Sequence, residues 1–299
     1  MSKHNALLAR LFAKERVMTE DGGLSIVCPL DYAENSTYQR FSGFDVLTPA
    51  ASDVLSSAEF VWRQAAVWIL ASGEELRVNS GRSRIINLVE SRITNARRTM
   101  RNQVSNDLYS DGTLAKQMGG LQALIADAGG GTVGGIDSAV FTFWRNKVQS
   151  AAAPLQGGGA ITPSSTTIES LMLPLYIELE RGGDYSDLII MSNDYYTFFE
   201  QSQTSIKRYA YTDNDLAEAG FISLRYHRAD VVHDGGSGIP GAHGYFINTD
   251  YMKFVGHENA MMTLSEEIRP SNQDAVGYLL LLMGNLTVGN RSLQGIMKS

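Results

Sequence analysis

The chain has 299 residues, 43% of them hydrophobic and 19% charged, which is ordinary for a folded protein with a large core and room for two subdomains. Its net charge of −7 argues against a protein that reads DNA sequence, and its single cysteine, Cys28, excludes intramolecular disulfides and four-thiolate zinc sites. The longest apolar run, 278–283, is far shorter than the roughly 20 residues of a membrane helix, and the N-terminus lacks the apolar stretch of a secretory signal.

Residues 2–18 carry a short apolar stripe among basic side chains. Its apolar members are Leu7, Leu8, Leu11 and Phe12. Such a stripe is typical of an N-terminal arm docked on another surface, of a helix at a membrane surface, or of a local core helix. We favour the docked arm, because nothing else in the sequence indicates a membrane.

Two apolar segments, Tyr38–Thr48 and Ala58–Ala71, flank a stretch of small and polar residues and predict a β-hairpin. The second segment is apolar on both faces, and its aromatic residues are Phe60, Trp62 and Trp68. A two-stranded hairpin alone is marginally stable in water, so this one must be covered from both sides. It is either an ordinary strand pair in the chain's own sheet or a projecting hairpin that lies across a neighbouring subunit.

The segment Glu74–Tyr109 predicts one long helix. Ser72 and Glu75 have the spacing of a capping box, and Ser110-Asp111-Gly112 ends the pattern. Apolar residues recur at three- and four-residue steps along one stripe: Ile85, Ile86, Val89, Ile93, Ala96, Met100, Val104 and Leu108. At about 1.5 Å per residue such a helix is on the order of 50 Å long, which suits a strut along an extended subunit.

The polar face of this predicted helix is rich in arginine and has Glu90 as its only local carboxylate. The arginines are Arg82, Arg84, Arg92, Arg97, Arg98 and Arg101. They form either a solvated face that pairs with acids elsewhere, or a weak, sequence-independent contact with phosphates. The second kind of contact would weaken strongly with salt.

Residues 150–163 predict a linker and a subdomain boundary, and helices and strands alternate after it. The predicted helices are Ser164–Arg181, bent at Pro174, and Asp194–Thr204, capped by Ser192. The predicted strands are Asp187–Met191, Phe221–Arg225, Ala229–His233, Gly244–Asn248, Met252–Gly256, and a final strand made of Ala275–Met283 and Leu286–Val288 that returns to the first subdomain.

Every catalytic or metal-binding motif in the sequence is incomplete. The loop Gly129–Gly135 lacks the Lys-Ser/Thr of a P-loop, and His257-Glu258 is followed by Met261 where a zinc-protease helix needs its second histidine. The histidines show no metal-ligand spacing, and Asp213-Asn214-Asp215 lacks the glycine and glutamate of a calcium loop. We therefore expect no enzymatic activity, no cofactor and no metal.

Four longer segments together are far more specific than any of these short motifs. They are TVGGIDSAVFTFWRN (132–146), DLIIMSNDYYTFFEQSQTSIKRY (187–209), ADVVHDGG (229–236) and IRPSNQDAVGYLLLLMGNLTVGNRSLQG (268–295). Their wording resembles the major capsid proteins of tailed bacteriophages, of the Hong Kong 97 type, and the similarity extends over nearly the whole chain.

The resemblance implies an α+β fold of the Hong Kong 97 type, a phage capsid fold with recognisable parts. Mapped onto this sequence they are an N-terminal arm (1–35), an extended β-hairpin loop (36–72), a peripheral domain (73–163 and 276–299) that includes a spine helix (74–109), and an axial domain (164–275) at the centre of each hexamer or pentamer.

The resemblance also implies function. The chain is expected to self-assemble into hexamers and pentamers of an icosahedral shell that encloses packaged double-stranded DNA. Assembly would take place in the cytoplasm of the bacterial host, the mature location would be the virion, and no membrane is involved. A scaffolding protein and a portal are implied partners, and the scaffold is expected to be separate because the sequence has no room for a large one before the arm.

One departure from the family concerns crosslinking. Some members join neighbours covalently through a lysine on the extended loop, but residues 36–72 contain no lysine. The shell is therefore expected to be held non-covalently, with a cementing protein as a further partner. The rival functions are a phage tail or tube protein, which also assembles from one chain, and an α/β enzyme in the 164–275 region.

The resemblance directs two sets of residues to specific roles. Expected inter-subunit contacts are Leu11, Phe12, Phe44, Phe60, Trp62, Arg63 and Trp68. Expected weak, non-specific contacts with packaged DNA are Arg84, Arg92, Arg97, Arg98 and Arg101.

Overall fold

The computed structural model describes residues 5–47, 50–80, 88–203, 223–234 and 238–299. The helices are α1 (Ala6–Ala13), α2 (Gly73–Val78), α3 (Leu88–Asp107), α4 (Leu121–Leu124), α5 (Ile168–Glu178) and α6 (Asn193–Ser202). The strands are β1 (Val17–Glu20), β2 (Ile26–Asp31), β3 (Leu55–Phe60), β4 (Arg63–Ser72), β5 (Thr132–Val133), β6 (Ile136–Asp137), β7 (Lys147–Ser150), β8 (Leu188–Met191), β9 (Ser223–Tyr226), β10 (Ala229–His233), β11 (His243–Ile247), β12 (Met252–Leu264), β13 (Ala275–Val288) and β14 (Gly295–Lys298).

A four-stranded sheet has the strand order β1-β12-β13-β4. β1 runs parallel to β12, and the other neighbours are antiparallel. Because successive residues of a strand point to opposite faces, Ile69 and Ala71 of β4 share one face, and both are buried. This face belongs to the same core as Ala96, Met100 and Val104, the buried stripe of α3. The helix stripe predicted from the sequence is confirmed over these residues.

A six-stranded sheet has the order β7-β14-β11-β8-β10-β9 and mixes parallel with antiparallel pairs. All four residues of β8 are buried, as expected of a central strand covered on both faces. One face contributes Ile189, Met191, Val231 and Phe246 to a core shared with α5 and α6. The opposite face contributes Leu188, Ile190, Val232 and Tyr245 to the larger core, which also contains α1.

The N-terminal segment is a core helix of its own chain, so the docked-arm interpretation is wrong and the local core helix is correct. Leu7, Leu8 and Leu11 of α1 are at most 3% exposed. The helix is fixed at its start because Asn5 accepts a hydrogen bond from the Leu8 amide, and the Ala6 amide donates to the carboxylate of Asp234. None of the described helices is long and apolar enough to cross a membrane.

The predicted hairpin has different arms from those expected. β2 pairs with β3 in antiparallel register, from Ile26 opposite Phe60 to Asp31 opposite Leu55. The segment 38–47 has no strand, because Ser42 and Asp45 form a tight turn around Gly43, which has a positive φ of 57°. β4 instead pairs with β13, so for this strand the plainer interpretation, an ordinary strand of the chain's own sheet, is confirmed.

The predicted continuous helix 74–109 is also wrong. The capping box of Ser72 and Glu75 is present and starts α2, as expected. However, α2 ends at Val78 with Asn79 as its C-cap, and the main helix, α3, runs from Leu88 to Asp107. Asn79, Ser80 and Gly81 are weak helix formers, which explains an end at this point. Residues 81–87, including Arg82, Arg84, Ile85 and Ile86, lie outside the described residues.

Most elements of the second half agree with the sequence predictions. β8, β10, β11 and α6 match within one or two residues, and α5 is helical through Pro174. β9 begins at Ser223, and the residues before it lie outside the described part. Ser192 occupies the N-cap of α6, but its hydroxyl accepts from the His243 amide and makes no capping bond. β12 is longer than predicted, and β13 is one strand of 14 residues where two pieces were predicted.

The two large sheets cross the predicted domain boundaries. β7 and β14, from the segments assigned to the peripheral domain, belong to the six-stranded sheet, whereas β12, from the segment assigned to the axial domain, belongs to the four-stranded sheet. Neither β7 nor β14 was predicted as a strand. The division into peripheral and axial domains stays a prediction.

Candidate subunit interface

The β2–β3 pair and its connecting segment form a two-stranded element, residues 26–60, that we call the ribbon. One side of its base is buried in the chain's own core through Ile26, Leu30, Ala58 and Phe60, which are between 0% and 6% exposed. The alternation of buried and exposed residues follows from the period of two along a strand. The ribbon is therefore anchored at its base.

The segment joining the two strands, 32–54, is apolar and exposed, and we call it the ribbon loop. Its exposed apolar side chains are Tyr38 (79%), Phe41 (65%), Phe44 (105%), Val46 (87%) and Leu47 (50%). Soluble monomers rarely leave so many large apolar side chains together in water, and such stretches mark interaction sites. Arg40 is the only cation in this loop, so its surface is dominated by apolar contacts.

A second exposed apolar surface lies on the outer face of the four-stranded sheet. Trp68 is 57% and Leu70 52% exposed. Trp68 lies directly opposite Leu279, and Ala66 opposite Leu281, in the β4–β13 register. These residues alternate with the buried Ile69 and Ala71, so the strand is apolar on both faces, as the sequence indicated. The contribution of β13 to this outer face was missed, although alternate residues of its long apolar run could have indicated it.

The structure separates the predicted inter-subunit contacts into accessible and inaccessible residues. Phe44 and Trp68 are exposed, and Phe12 is 40% exposed. Leu11 is 0% and Phe60 6% exposed, and both pack in the chain's own core, so neither presents a surface to a neighbour. These two assignments are wrong because an apolar pattern does not distinguish burial within a chain from burial between chains.

Trp62 and Arg63 have an intermediate position between these two groups. Both are partly buried. The Trp62 indole N–H donates to the Gly23 carbonyl at 3.1 Å, and its ring lies edge-on to His257 with the ring centroids 6.0 Å apart. Trp62 is thus held within its own chain at the junction between β3 and β4, which leaves only part of its surface for a partner.

The arginines of α3 divide in the same way. Arg92 makes a bidentate pair with Glu75 and also donates to the Leu70 carbonyl. Arg97 and Arg98 are exposed, and Arg101 is partly buried. The structure therefore assigns Arg92 to internal pairing and leaves Arg97 and Arg98 as the accessible pair. Arg84 lies outside the described residues.

Within the described ranges, no group of three or more histidine, cysteine or acidic side chains could hold a metal ion. His243 faces the carboxylate of Asp127, and His227 stacks on Tyr176 with the ring centroids 5.0 Å apart. Cys28 is partly buried, and desolvation raises the pKa of its thiol, which disfavours the reactive thiolate.

No protein-family model matches the sequence, and a comparison with curated proteins finds no relative. Solved structures, in contrast, match over almost the whole chain. The capsid asymmetric unit of cyanophage A-1(L) superimposes with a TM-score of 0.74 at 14% identity, covering 95% of this chain and 90% of that one. The chain has the fold of a phage capsid subunit.

Other capsid structures agree with this assignment. The capsid of a native GTA particle gives a TM-score of 0.62 at 14% identity, with 97% of this chain and 89% of that chain covered. A Mycobacterium phage Bobi structure gives 0.58 at 8% identity, with 98% and 90% covered. The predicted fold class, an α+β phage capsid fold, is confirmed, and these neighbours are structural proteins. At such low identity the likeness concerns the fold.

Proposed function

We propose that this chain is a major capsid protein, which self-assembles into the hexamers and pentamers of an icosahedral shell around double-stranded DNA. The observation that carries the proposal is the ribbon loop. In a chain with a capsid-subunit fold, a segment anchored at its base exposes five large apolar side chains that the rest of the chain does not cover. A second copy of the same chain is the partner that a shell would supply at every such site.

The energetics support burial of this loop against a neighbour. Fully burying a large apolar side chain contributes about 2 kcal/mol, so the five side chains of the loop offer a gross gain of about 10 kcal/mol per subunit. Ordering and association costs remove much of that gain. A modest net contact is sufficient because the same interface recurs at every subunit, and the contacts of one subunit reinforce those of the next.

The ribbon loop and the outer face of the four-stranded sheet have complementary chemistry. Both are apolar, and neither is dominated by charge. Phe44 and Trp68 are the anchors we expect at the contact, since large aromatic side chains often carry most of the binding energy of an interface. A closed ring requires that each subunit offer one surface and receive the other, which is a head-to-tail interface.

The remaining assignments follow from the same proposal. The protein acts without enzymatic activity, is part of the virion, and assembles in the bacterial cytoplasm with a scaffolding protein and a portal. The absence of lysine from residues 36–72 favours non-covalent contacts, with a cementing protein as a further partner. Arg97 and Arg98 are the residues we expect to touch DNA weakly.

Electron microscopy of the purified chain, alone and with its scaffolding protein, tests the proposal. We expect round, closed shells of uniform diameter. Open tubes would favour the tail or tube alternative. Discrete soluble oligomers that never close, under conditions in which the subunit is folded, would contradict a capsid function.

A further inference from the structure

Arg291 is a buried cation whose hydrogen-bond partners are main-chain carbonyl groups. Its side chain is 0% exposed. Nε donates to the Leu124 carbonyl at 2.7 Å, Nη2 donates to Gly130 at 2.6 Å, and Nη1 donates to Trp144 at 3.2 Å and to Gly131 at 3.4 Å. Desolvation lowers the pKa of Arg291 to about 10, which leaves it protonated at neutral pH. A buried charge of this kind requires several well-placed acceptors.

Those carbonyls belong to a segment that has little structure of its own. Residues 129–144, which we call the seat, contain only the two-residue strands β5 and β6 and a single 3-10 turn. Gly129, Gly131, Gly134 and Gly135 all have positive φ. A stretch so poor in side chains and so unusual in backbone needs an outside group to fix it. The planar guanidinium of Arg291 supplies donors in a rigid fork.

The seat supports the base of the ribbon at two places. The Glu59 amide donates to the Gly134 carbonyl at 2.9 Å. Tyr32, where the ribbon loop begins, stacks on Phe143 with the ring centroids 5.0 Å apart. Gly134 also lies so close to β3 that a Cβ placed there would be 2.9 Å from the Cβ of Ala58 and 3.1 Å from the Phe60 ring.

We propose that Arg291, acting through the seat, sets the direction in which the ribbon leaves the body of the subunit. Arg291 is thus a positioning residue for the inter-subunit contact, and this inference rests on the proposed capsid function. Six residues of β2 span about 20 Å, so a tilt of about 10° at the base would move the ribbon loop by about 3 Å. A displacement of that size would misplace anchors such as Phe44.

Gly134 and Gly135 provide a matched pair for the test. Both have positive φ, 59° and 77°, so alanine is strained at either position. Nothing lies within 4 Å of a Cβ at Gly135, whereas a Cβ at Gly134 would collide with the ribbon. Gly134→Ala therefore combines the backbone strain with a push on the ribbon, and Gly135→Ala introduces the strain alone.

Hydrogen exchange of the soluble subunit, followed by assembly of the same preparations, tests the inference. We expect Gly134→Ala to speed exchange in residues 55–60 by about tenfold relative to Gly135→Ala and to reduce the yield of closed shells. Arg291→Lys, which keeps the charge but loses the fork, should speed exchange in both 124–146 and 55–60. The exchange measurement needs no shell, so it remains informative even if the wild-type chain fails to assemble, an outcome that would count against the capsid function alone. Equal exchange in the two glycine variants, or normal shells from a Gly134→Ala subunit with a loosened ribbon, would overturn the positioning role.

Discussion

Arg92 of α3 binds Glu75 of α2 through two parallel hydrogen bonds of 3.0 and 2.8 Å. The pair joins two helices that the sequence predicted to be one. Glu75 has a second role, because its carboxylate also accepts from the Ser72 amide in the capping box. The hydrogen bonds from Arg92 and Ser72 lower the pKa of Glu75 to about 2.

This pKa predicts a specific dependence of stability on pH. A carboxyl group with a lowered pKa stabilises the folded state above its unfolded pKa, and that contribution is lost as the pH falls towards the folded value. We therefore expect Glu75→Gln to lower the Tm by at most about 3 °C at pH 6, since the pair is exposed to solvent and screened. The difference from wild type should vanish between pH 4.5 and pH 2. Calorimetry of both proteins across this range checks it, and a difference that persists at pH 2 would contradict the role of this carboxylate.

Phe44 and Phe60 provide a test of what each end of the ribbon does. Phe60 is 6% exposed and packs in the core, so Phe60→Ala should lower the free energy of unfolding by about 3 kcal/mol or more. Phe44 is fully exposed, so Phe44→Ala should leave the stability of the soluble subunit within about 0.5 kcal/mol of wild type and strongly reduce shell formation. Urea unfolding and electron microscopy of the same preparations check both halves. Normal shells from Phe44→Ala would show that this side chain is not an anchor.

Features set by neighbouring residues could be predicted from the sequence. The capping box at Ser72 and Glu75 was found because its two bonds span three residues. β8 and β10 were found because short apolar runs with flanking turns are typical of buried strands. The buried stripe of α3 followed from helical periodicity in the same way.

Features that depend on distant contacts could not be predicted. The pairing of β2 with β3 crosses a loop of more than 20 residues, and Pro29 within β2 made that segment look like a turn. The burial of Leu11 needed the six-stranded sheet as its partner. Arg291 gave no signal at all, because its partners are carbonyl groups, which every residue carries.

Arg97 and Arg98 are exposed on α3, and neither forms an ion pair with another described residue. If they touch packaged DNA, the double charge reversal Arg97→Glu with Arg98→Glu should weaken retention of DNA much more at low salt than at high salt. The loss of two phosphate contacts per subunit should reduce the slope of log affinity against log salt by about 2. Fluorescence anisotropy with a short duplex checks the slope. Arg77→Glu, a charge reversal at a residue that already pairs with Asp274, is the control. Unchanged salt dependence in the double variant would indicate a solvated face.

Arg10 joins α1 to the six-stranded sheet through two buried carboxylates. Nε lies 3.0 Å from Asp187 and Nη1 lies 3.5 Å from Asp230, whose side chains are 6% and 3% exposed. Removing one partner of a buried pair leaves the other charge uncompensated, so Arg10→Met should lower the free energy of unfolding by about 3 kcal/mol at pH 7. Arg77→Met, which breaks a pair that is about 70% exposed, should cost less than about 0.5 kcal/mol.

The deficit of Arg10→Met should also depend on pH, in the opposite sense to the effect at Glu75. Burial already raises the pKa of Asp230, and Arg10 is the strongest of the charges that lower it, so the variant should raise this pKa further. A carboxyl group with a raised pKa destabilises the folded state while it is ionised, and protonation relieves that cost. The difference between Arg10→Met and wild type should therefore shrink as the pH falls from 7 towards 4.5. Urea unfolding at both pH values measures it. A deficit that stays constant would mean that the loss comes from packing of the arginine stem, because only an uncompensated carboxylate can be relieved by a proton.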